Sequence, residues 1–170
     1  MASKRAPWLG IFLVIGMLIS LFLTYEHFSE TASRFCTFGS NLDCGVVNKS
    51  PYANIDGISY LLTIEFGLPL PYINISNINF FLDLITSVSF LGFLVLLFVF
   101  LARRARDKDF LFIKKEDNLK WTRGILIFGV AFGFYLFLIQ HFILQTYCIF
   151  CLLLDISIIL SLITSFLYKE

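Results

Sequence analysis

Four apolar runs, each long enough to cross a bilayer and separated by polar or charged stretches, constrain this chain more than any other feature. Inside hydrocarbon every backbone N–H and C=O must find a partner in the chain, so runs of this kind fold as helices. They cover residues 8–26, 79–101, 124–143 and 146–168, against the roughly 20 apolar residues that a membrane helix needs. Only 15% of the residues are charged, well short of the roughly one quarter usual in soluble domains. The expected fold is an all-α integral membrane protein of one domain, a four-transmembrane-helix bundle. An aromatic stands at each end of the first run, and Thr31-Ala32-Ser33 is a poor cleavage site, so this run is read as retained rather than as a signal peptide.

The distribution of charge orients the bundle. Eight basic and four acidic residues lie between Arg103 and Arg123, in the loop 102–123, and Lys4, Arg5 and Lys169 fall on the same side of a four-span arrangement. By the positive-inside rule both termini are cytoplasmic. A loop held between two spans and diluted with acids is a topogenic signal, which argues against nucleic acid as a partner. The segment 27–78 is then an extracytoplasmic loop, net negative from His27 to Asn77. Within it, residues 55–72 carry Asp56 and Glu65 and end in Leu68-Pro69-Leu70-Pro71. They are read as short surface helices, because an acid at mid-bilayer costs about 2.5–3.5 kcal/mol or more. Asp83 is placed in the first turn of the second span, where an acid favours a helix N-terminus. Gly129-x-x-x-Gly133 allows a close helix approach.

All four cysteines fall on the outer face. Cys148-Ile-Phe-Cys151 opens the last span, and two cysteines one turn apart can close a small disulfide ring. With a helix start near Thr146, the first of them also feels free helix N–H groups, which favour a reactive thiolate. The same spacing is half of a zinc site or a structural disulfide, and zinc needs further ligands that Cys36 and Cys44 do not offer at close spacing. Seven residues separate Cys36 from Cys44, so a disulfide there closes a small loop. Two pairs on one face can pass electrons by thiol–disulfide exchange from water-soluble thiols to an acceptor in the bilayer. There is no dinucleotide fingerprint, which leaves a quinone as the acceptor and no metal. His27 and His141 near the outer boundary allow a haem electron carrier as an alternative, and a non-enzymatic membrane scaffold with structural disulfides is another.

The chain resembles the vitamin K epoxide reductase family, including its bacterial and archaeal disulfide-forming members. The resemblance is carried by the early span, Phe35-Cys36, Asp43-Cys44-Gly-Val-Val-Asn-Lys-Ser50-Pro-Tyr, Asp56-Gly57-Ile58 and Gln145-x-Tyr-Cys148-Ile-Phe-Cys151. It implies a four-helix bundle around a quinone pocket, capped outside by the cysteine loop and a short surface helix. It implies that Cys36 exchanges with a reduced partner, that Cys44 forms a transient disulfide with Cys148, and that Cys151 lies nearest the quinone. Ser50 matches the family's serine or threonine beside the redox centre. Asn77, or Asn79, matches the asparagine that holds a quinone carbonyl, against the plainer reading of the stretch Asn74 to Asn79 as a helix cap and loop. The family's vertebrate reductases have a tyrosine four residues past the last cysteine, where this chain has Asp155. That departure weighs against vitamin K epoxide as substrate and leaves the thiol relay intact.

Asp155 shares a helix face with Cys151 and Cys148, and is read as a proton relay or hydrogen-bond partner near the quinone, or as a structural bond across the bundle. The co-substrate is menaquinone, ubiquinone or vitamin K. The electron donor is a separate thioredoxin-like protein with its own Cys-x-x-Cys. The expected setting is a prokaryotic cell membrane, with disulfide formation as the outcome. An endoplasmic reticulum membrane is the alternative, in which Asn74-Ile-Ser76 is a glycosylation acceptor, and quinone or epoxide reduction is the alternative product.

Overall fold

A computed structural model of the chain describes residues 6–29, 36–37, 41–65, 67, 69, 71, 75–104 and 117–167. The first apolar run forms α1, Ala6–Phe28. Its proline, Pro7, sits in the opening turn, where the missing N–H costs nothing. The segment after α1 folds as two short helices, α2 (Cys44–Asn48) and α3 (Ile55–Tyr60), with a 3-10 turn at Pro51–Ala53 between them. Four helices follow: α4 (Phe80–Thr86), α5 (Val88–Arg104), α6 (Asn118–Ile139) and α7 (Ile149–Leu167). Among the described residues three helical stretches are long and apolar enough to cross a membrane: Trp8–Phe28, Asn118–Leu144 and Ile149–Leu167.

The second run departs from the single helix expected over 79–101. Ser87 is extended (φ −65°, ψ 131°) and separates α4 from α5. Thr86 Oγ1 bonds back to Leu82 O and Ser87 Oγ to Leu84 O, hydroxyl contacts that compete with the helical ladder. Ser87 also pairs with the backbone of Asn54, which pins the break to the outer cap. The 17 residues of α5 reach roughly 26 Å at about 1.5 Å each, a little short of the ~30 Å hydrocarbon layer.

Interior packing explains how α1 becomes the central helix. Leu9, Leu13, Gly16, Ser20 and Leu23 recur every three or four residues on one buried face. A Cβ on Gly16 would stand 2.8 Å from Ser157 Oγ and 3.1 Å from Leu96 Cδ1, so α1 lies tight between α7 and α5. The facing stripe of α7 is Ser157, Ser161 and Ser165, all buried. Their hydroxyls bond back within α7, to Leu154 O, Ser157 O and Leu162 O, so small polar residues are buried without orphan groups. Helix α6 closes against α7 and α5. Gly129 comes within ordinary contact of Ile158, and Gly133 lies directly against the Asp155 carboxylate, so the Gly-x-x-x-Gly face meets α7.

At the end of the bundle away from the cysteines, Asn118 Nδ2 donates to Ala102 O at 2.7 Å and Arg123 Nη2 to Ser165 O at 2.9 Å. These bonds let α6 begin at Asn118, earlier than the apolar signal at residue 124, because a helix continues through polar residues that find partners. Of the expected basic loop, residues 105–116 lie outside the described residues. The expected surface segment 55–72 is helical from Ile55 to Tyr60 and continues as a wider π turn over Leu61–Glu65. Its residues 66, 68, 70 and 72 lie outside the described residues.

Candidate functional site

Two disulfides anchor the site. Cys36 and Cys44 are bonded with Cα atoms 5.5 Å apart, and Cys148 and Cys151 with Cα atoms 5.2 Å apart. Cys36, Cys44 and Cys148 are fully buried, and they pack with Leu23 of α1 and Val47 of α2 in one apolar cluster bordered by Phe150, Cys151 and Leu154. Backbone pairing holds the two pairs side by side. Asp43 N–H donates to Tyr147 O at 3.1 Å and Tyr147 N–H to Asn41 O at 3.0 Å, so the residues just before Cys44 and Cys148 are bonded to each other. A bridge from Thr37 to Asp43 closes the cysteine loop itself.

Local sequence sets both cysteine positions. Asp43 caps α2, its Oδ1 accepting from Val46 N–H at 3.1 Å, which fixes Cys44 as the first helical residue. Gln145 turns the chain with φ 50°, a left-handed conformation that a non-glycine residue adopts only at a tight turn. Cys148 then stands just before α7. Its Sγ takes the place of a capping oxygen, accepting the Cys151 N–H at 3.1 Å, and its own N–H donates to Gln140 Oε1 at 2.9 Å. A sulfur held by a helix N–H is stabilised as a thiolate when the disulfide opens. The helix starts three residues later than Thr146, and the expected contact between the first cysteine and free N–H groups is present.

Beneath the cysteines lies a small cavity of about 80 Å³, walled by Cys151, Leu154 and Asp155 of α7, Gln140 after α6, and Asn48 and Ser50 of the outer segment. Ligand pockets ordinarily begin near ~300 Å³, so a ring entering here needs side chains to move aside. Ser50 and Tyr52 also line a wider polar hollow of about 660 Å³ on the outer side, shared with His27, Lys49, Asp56 and Asp83. There His27 Nε2 lies 3.7 Å from Asp83 Oδ1, which accepts from Asn54 Nδ2 at 2.9 Å, and Asp56 Oδ2 accepts from the Ile75 and Ser76 N–H groups at 2.8 and 2.7 Å. A further groove of about 720 Å³ between α5 and α6 is mostly apolar and lies beside the start of α6, away from the cysteines.

The structure therefore brings Cys151, Ser50 and Asp155 to one cavity and seats Cys36, Cys44 and Cys148 above it. Ser50 Oγ donates to Val47 O at 2.7 Å. Asn79 is placed elsewhere: it caps α4, its Oδ1 accepting from Leu82 N–H at 2.9 Å. Asn77 lies in a 3-10 turn, Ser76–Ile78, and its side chain is outside the description. Sequence reasoning passed over Gln140 and Asn48. Asn48 Nδ2 donates to Leu23 O and its carbonyl meets His27 Nδ1, each at 2.5 Å, so it ties α2 to α1. A glutamine near the end of an apolar run was the available signal for Gln140, since a polar side chain there has to find a partner. Among the described residues no three His, Cys, Asp or Glu side chains gather as a metal site would need.

Comparison with curated proteins and with solved structures returned no match. A sequence model described as "Vitamin K epoxide reductase family" matches residues 7–166, nearly the whole chain. With two buried disulfides at one end of three membrane-length apolar helices, the chain belongs to the Vitamin K epoxide reductase family and is a membrane-embedded oxidoreductase.

Proposed function

We propose that this protein is a quinone-dependent thiol–disulfide oxidoreductase that draws electrons from a thioredoxin-like protein and supports disulfide formation. The carrying observation is that the Cys36–Cys44 and Cys148–Cys151 disulfides share one buried cluster while Cys151 alone of the four lines the cavity below. A partner thiolate attacks Cys36, and Cys44 leaves with the electron pair. Cys44 then attacks Cys148, forming the inter-pair disulfide and releasing Cys151 as a thiolate. The partner's second thiol closes its own disulfide and releases Cys36 as a thiolate; Cys36 then closes back on Cys44, which returns Cys148 as a thiolate, and the Cys148–Cys151 dithiol gives two electrons to the quinone and is re-oxidised. The net direction follows the potentials of the end members. The bilayer arrangement in this reading is four spans, with α4 and α5 together forming the second, both termini cytoplasmic and all cysteines outside.

Within this reading a quinone would be held by Cys151, Gln140 and Asp155, with Ser50 at the rim. The bound quinone supplies the two-electron acceptor in the membrane. Asp155, one turn past Cys151 on α7 and packed against Gly133, carries a proton between the cavity and the hydroquinone oxygen.

The test is quinone reduction by purified protein in detergent, with a reduced thioredoxin-like donor and menaquinone or ubiquinone. Wild type turns over, Cys148→Ala and Cys151→Ala do not, and Cys36→Ala and Cys44→Ala accept electrons only from a small dithiol. Turnover that survives all four substitutions sinks the relay. In the same assay Asp155→Asn alters the pH profile of quinone reduction; an unchanged profile in a folded variant removes its proton role.

A further inference from the structure

The cysteine relay leaves one buried acid without a task. Glu26, in the last turn of α1, is fully buried, and among the described residues neither carboxyl oxygen has a hydrogen-bond partner. The other acids at this end are held differently: Asp43 by Val46 N–H, Asp56 by Ile75 and Ser76 N–H, and Asp83 by Asn54 Nδ2. A buried carboxylate with no donor is strongly unfavourable, so its surroundings accommodate the neutral acid. A group held this way serves as a proton store for a neighbour whose charge changes.

The contacts on either side of Glu26 lead to the Cys36–Cys44 pair. Leu23, one turn earlier on α1, belongs to the cluster of Cys36, Cys44 and Cys148. On either side of Glu26, Leu23 O and His27 Nδ1 are both bonded to Asn48, the last residue of the helix that Cys44 begins. Among the described residues Asp43 and Lys49 bracket that helix, and Lys49 Nζ is itself bonded to Ser29 O at 2.9 Å. His27, next along α1, faces Asp83, and Asp155 faces the lower cavity.

We propose that Glu26 is the acid–base group of the outer disulfide, exchanging a proton with Cys44 as the Cys36–Cys44 bond opens and closes; the proposal rests on the cysteine relay. When a partner thiolate bonds to Cys36, the electron pair of the broken S–S bond leaves on Cys44 Sγ. The Glu26 proton moves to that sulfur, leaving a thiol and a carboxylate. As Cys44 attacks Cys148, the proton returns to Glu26, the new S–S bond forms, and the electron pair of the Cys148–Cys151 bond leaves on Cys151. The partner's second thiol completes its own disulfide and frees Cys36, so the only species oxidised is the partner dithiol.

Glu26→Gln keeps the shape of the side chain and removes its proton. In single-turnover reduction by dithiothreitol, opening of Cys36–Cys44 slows about 100-fold, the lower end of what a positioned acid–base group contributes, and its pH profile loses one ionisation. Glu26→Asp recovers part of the rate. Infrared difference spectra of oxidised against dithiothreitol-reduced wild type show a carboxyl C=O band change that shifts in Glu26→Asp, a readout that does not depend on the Gln variant folding. A wild-type rate and pH profile in Glu26→Gln, or no carboxyl change in the wild-type spectrum, overturns the proposal. Failure of the relay itself has a separate signature, because Cys44→Ala would then also turn over normally with the thioredoxin-like donor.

Discussion

Gln140 shows how one side chain can position a cysteine without touching either disulfide bond. Its Oε1 accepts the N–H of Cys148 in a buried site, and its carbonyl receives the Thr146 N–H at 3.3 Å. The side chain therefore holds the tight turn that delivers Cys148 to the head of α7. Replacing it with leucine orphans a buried N–H, a loss of about 1–3 kcal/mol. We expect Gln140→Leu to lower the unfolding free energy in detergent by that amount and to slow exchange at Cys148, while Gln140→Glu, which keeps an acceptor, restores most of the stability. A leucine variant as stable and as fast as wild type would show that the bond is dispensable. The cysteines announced themselves by spacing, whereas Gln140 did not, because its partner lies across a turn whose left-handed residue, Gln145, carries no glycine signal.

At the scale of elements, the site depends on how closely α1 approaches α7. The cysteine cluster draws Leu23 and Ile19 from α1 and Phe150 and Leu154 from α7, so any widening of this crossing loosens the cluster. Gly16 sets the separation, since a Cβ there would stand 2.8 Å from Ser157 Oγ. Gly16→Leu forces the helices apart and destabilises the protein by about 1–3 kcal/mol, as overpacking of a tight contact does. Gly10→Ala, with nothing near its position, serves as the control and changes little. Thermal unfolding of the two variants in one detergent decides the matter, and equal midpoints would remove Gly16 from this role. The Gly129-x-x-x-Gly133 motif was legible as a close-approach face. That Gly133 makes room for the Asp155 carboxylate was not, since the motif does not specify which neighbour fills the space.

For the whole molecule, the arrangement proposed in the bilayer rests on charge rather than on packing. Basic residues at Lys4, Arg5 and Lys169 and through the 102–123 loop oppose a net negative segment from His27 to Asn77. In the proposed arrangement, a membrane-impermeant maleimide added to intact cells after reduction labels the native cysteines. A cysteine placed in the basic loop by Ala105→Cys, in a background where the four native cysteines are alanine, is labelled only after the membrane is opened. Labelling of that loop cysteine from outside would invert the topology and with it the compartment of the partner thiol.

Spacing and composition by themselves determined a helical membrane chain, a cysteine-bearing segment between the first two apolar runs and a cysteine pair at the head of the last helix, because hydrophobic length and local spacing are properties of the chain alone. The break at Ser87, the seating of Asn79 as a cap for α4, the burial of Glu26 and the joining of two distant cysteine pairs through Asp43 and Tyr147 were decided only by the tertiary structure. Each depends on a polar group finding its partner far along the sequence, and in a low-dielectric interior it is this pairing that selects among the helix arrangements an apolar pattern permits.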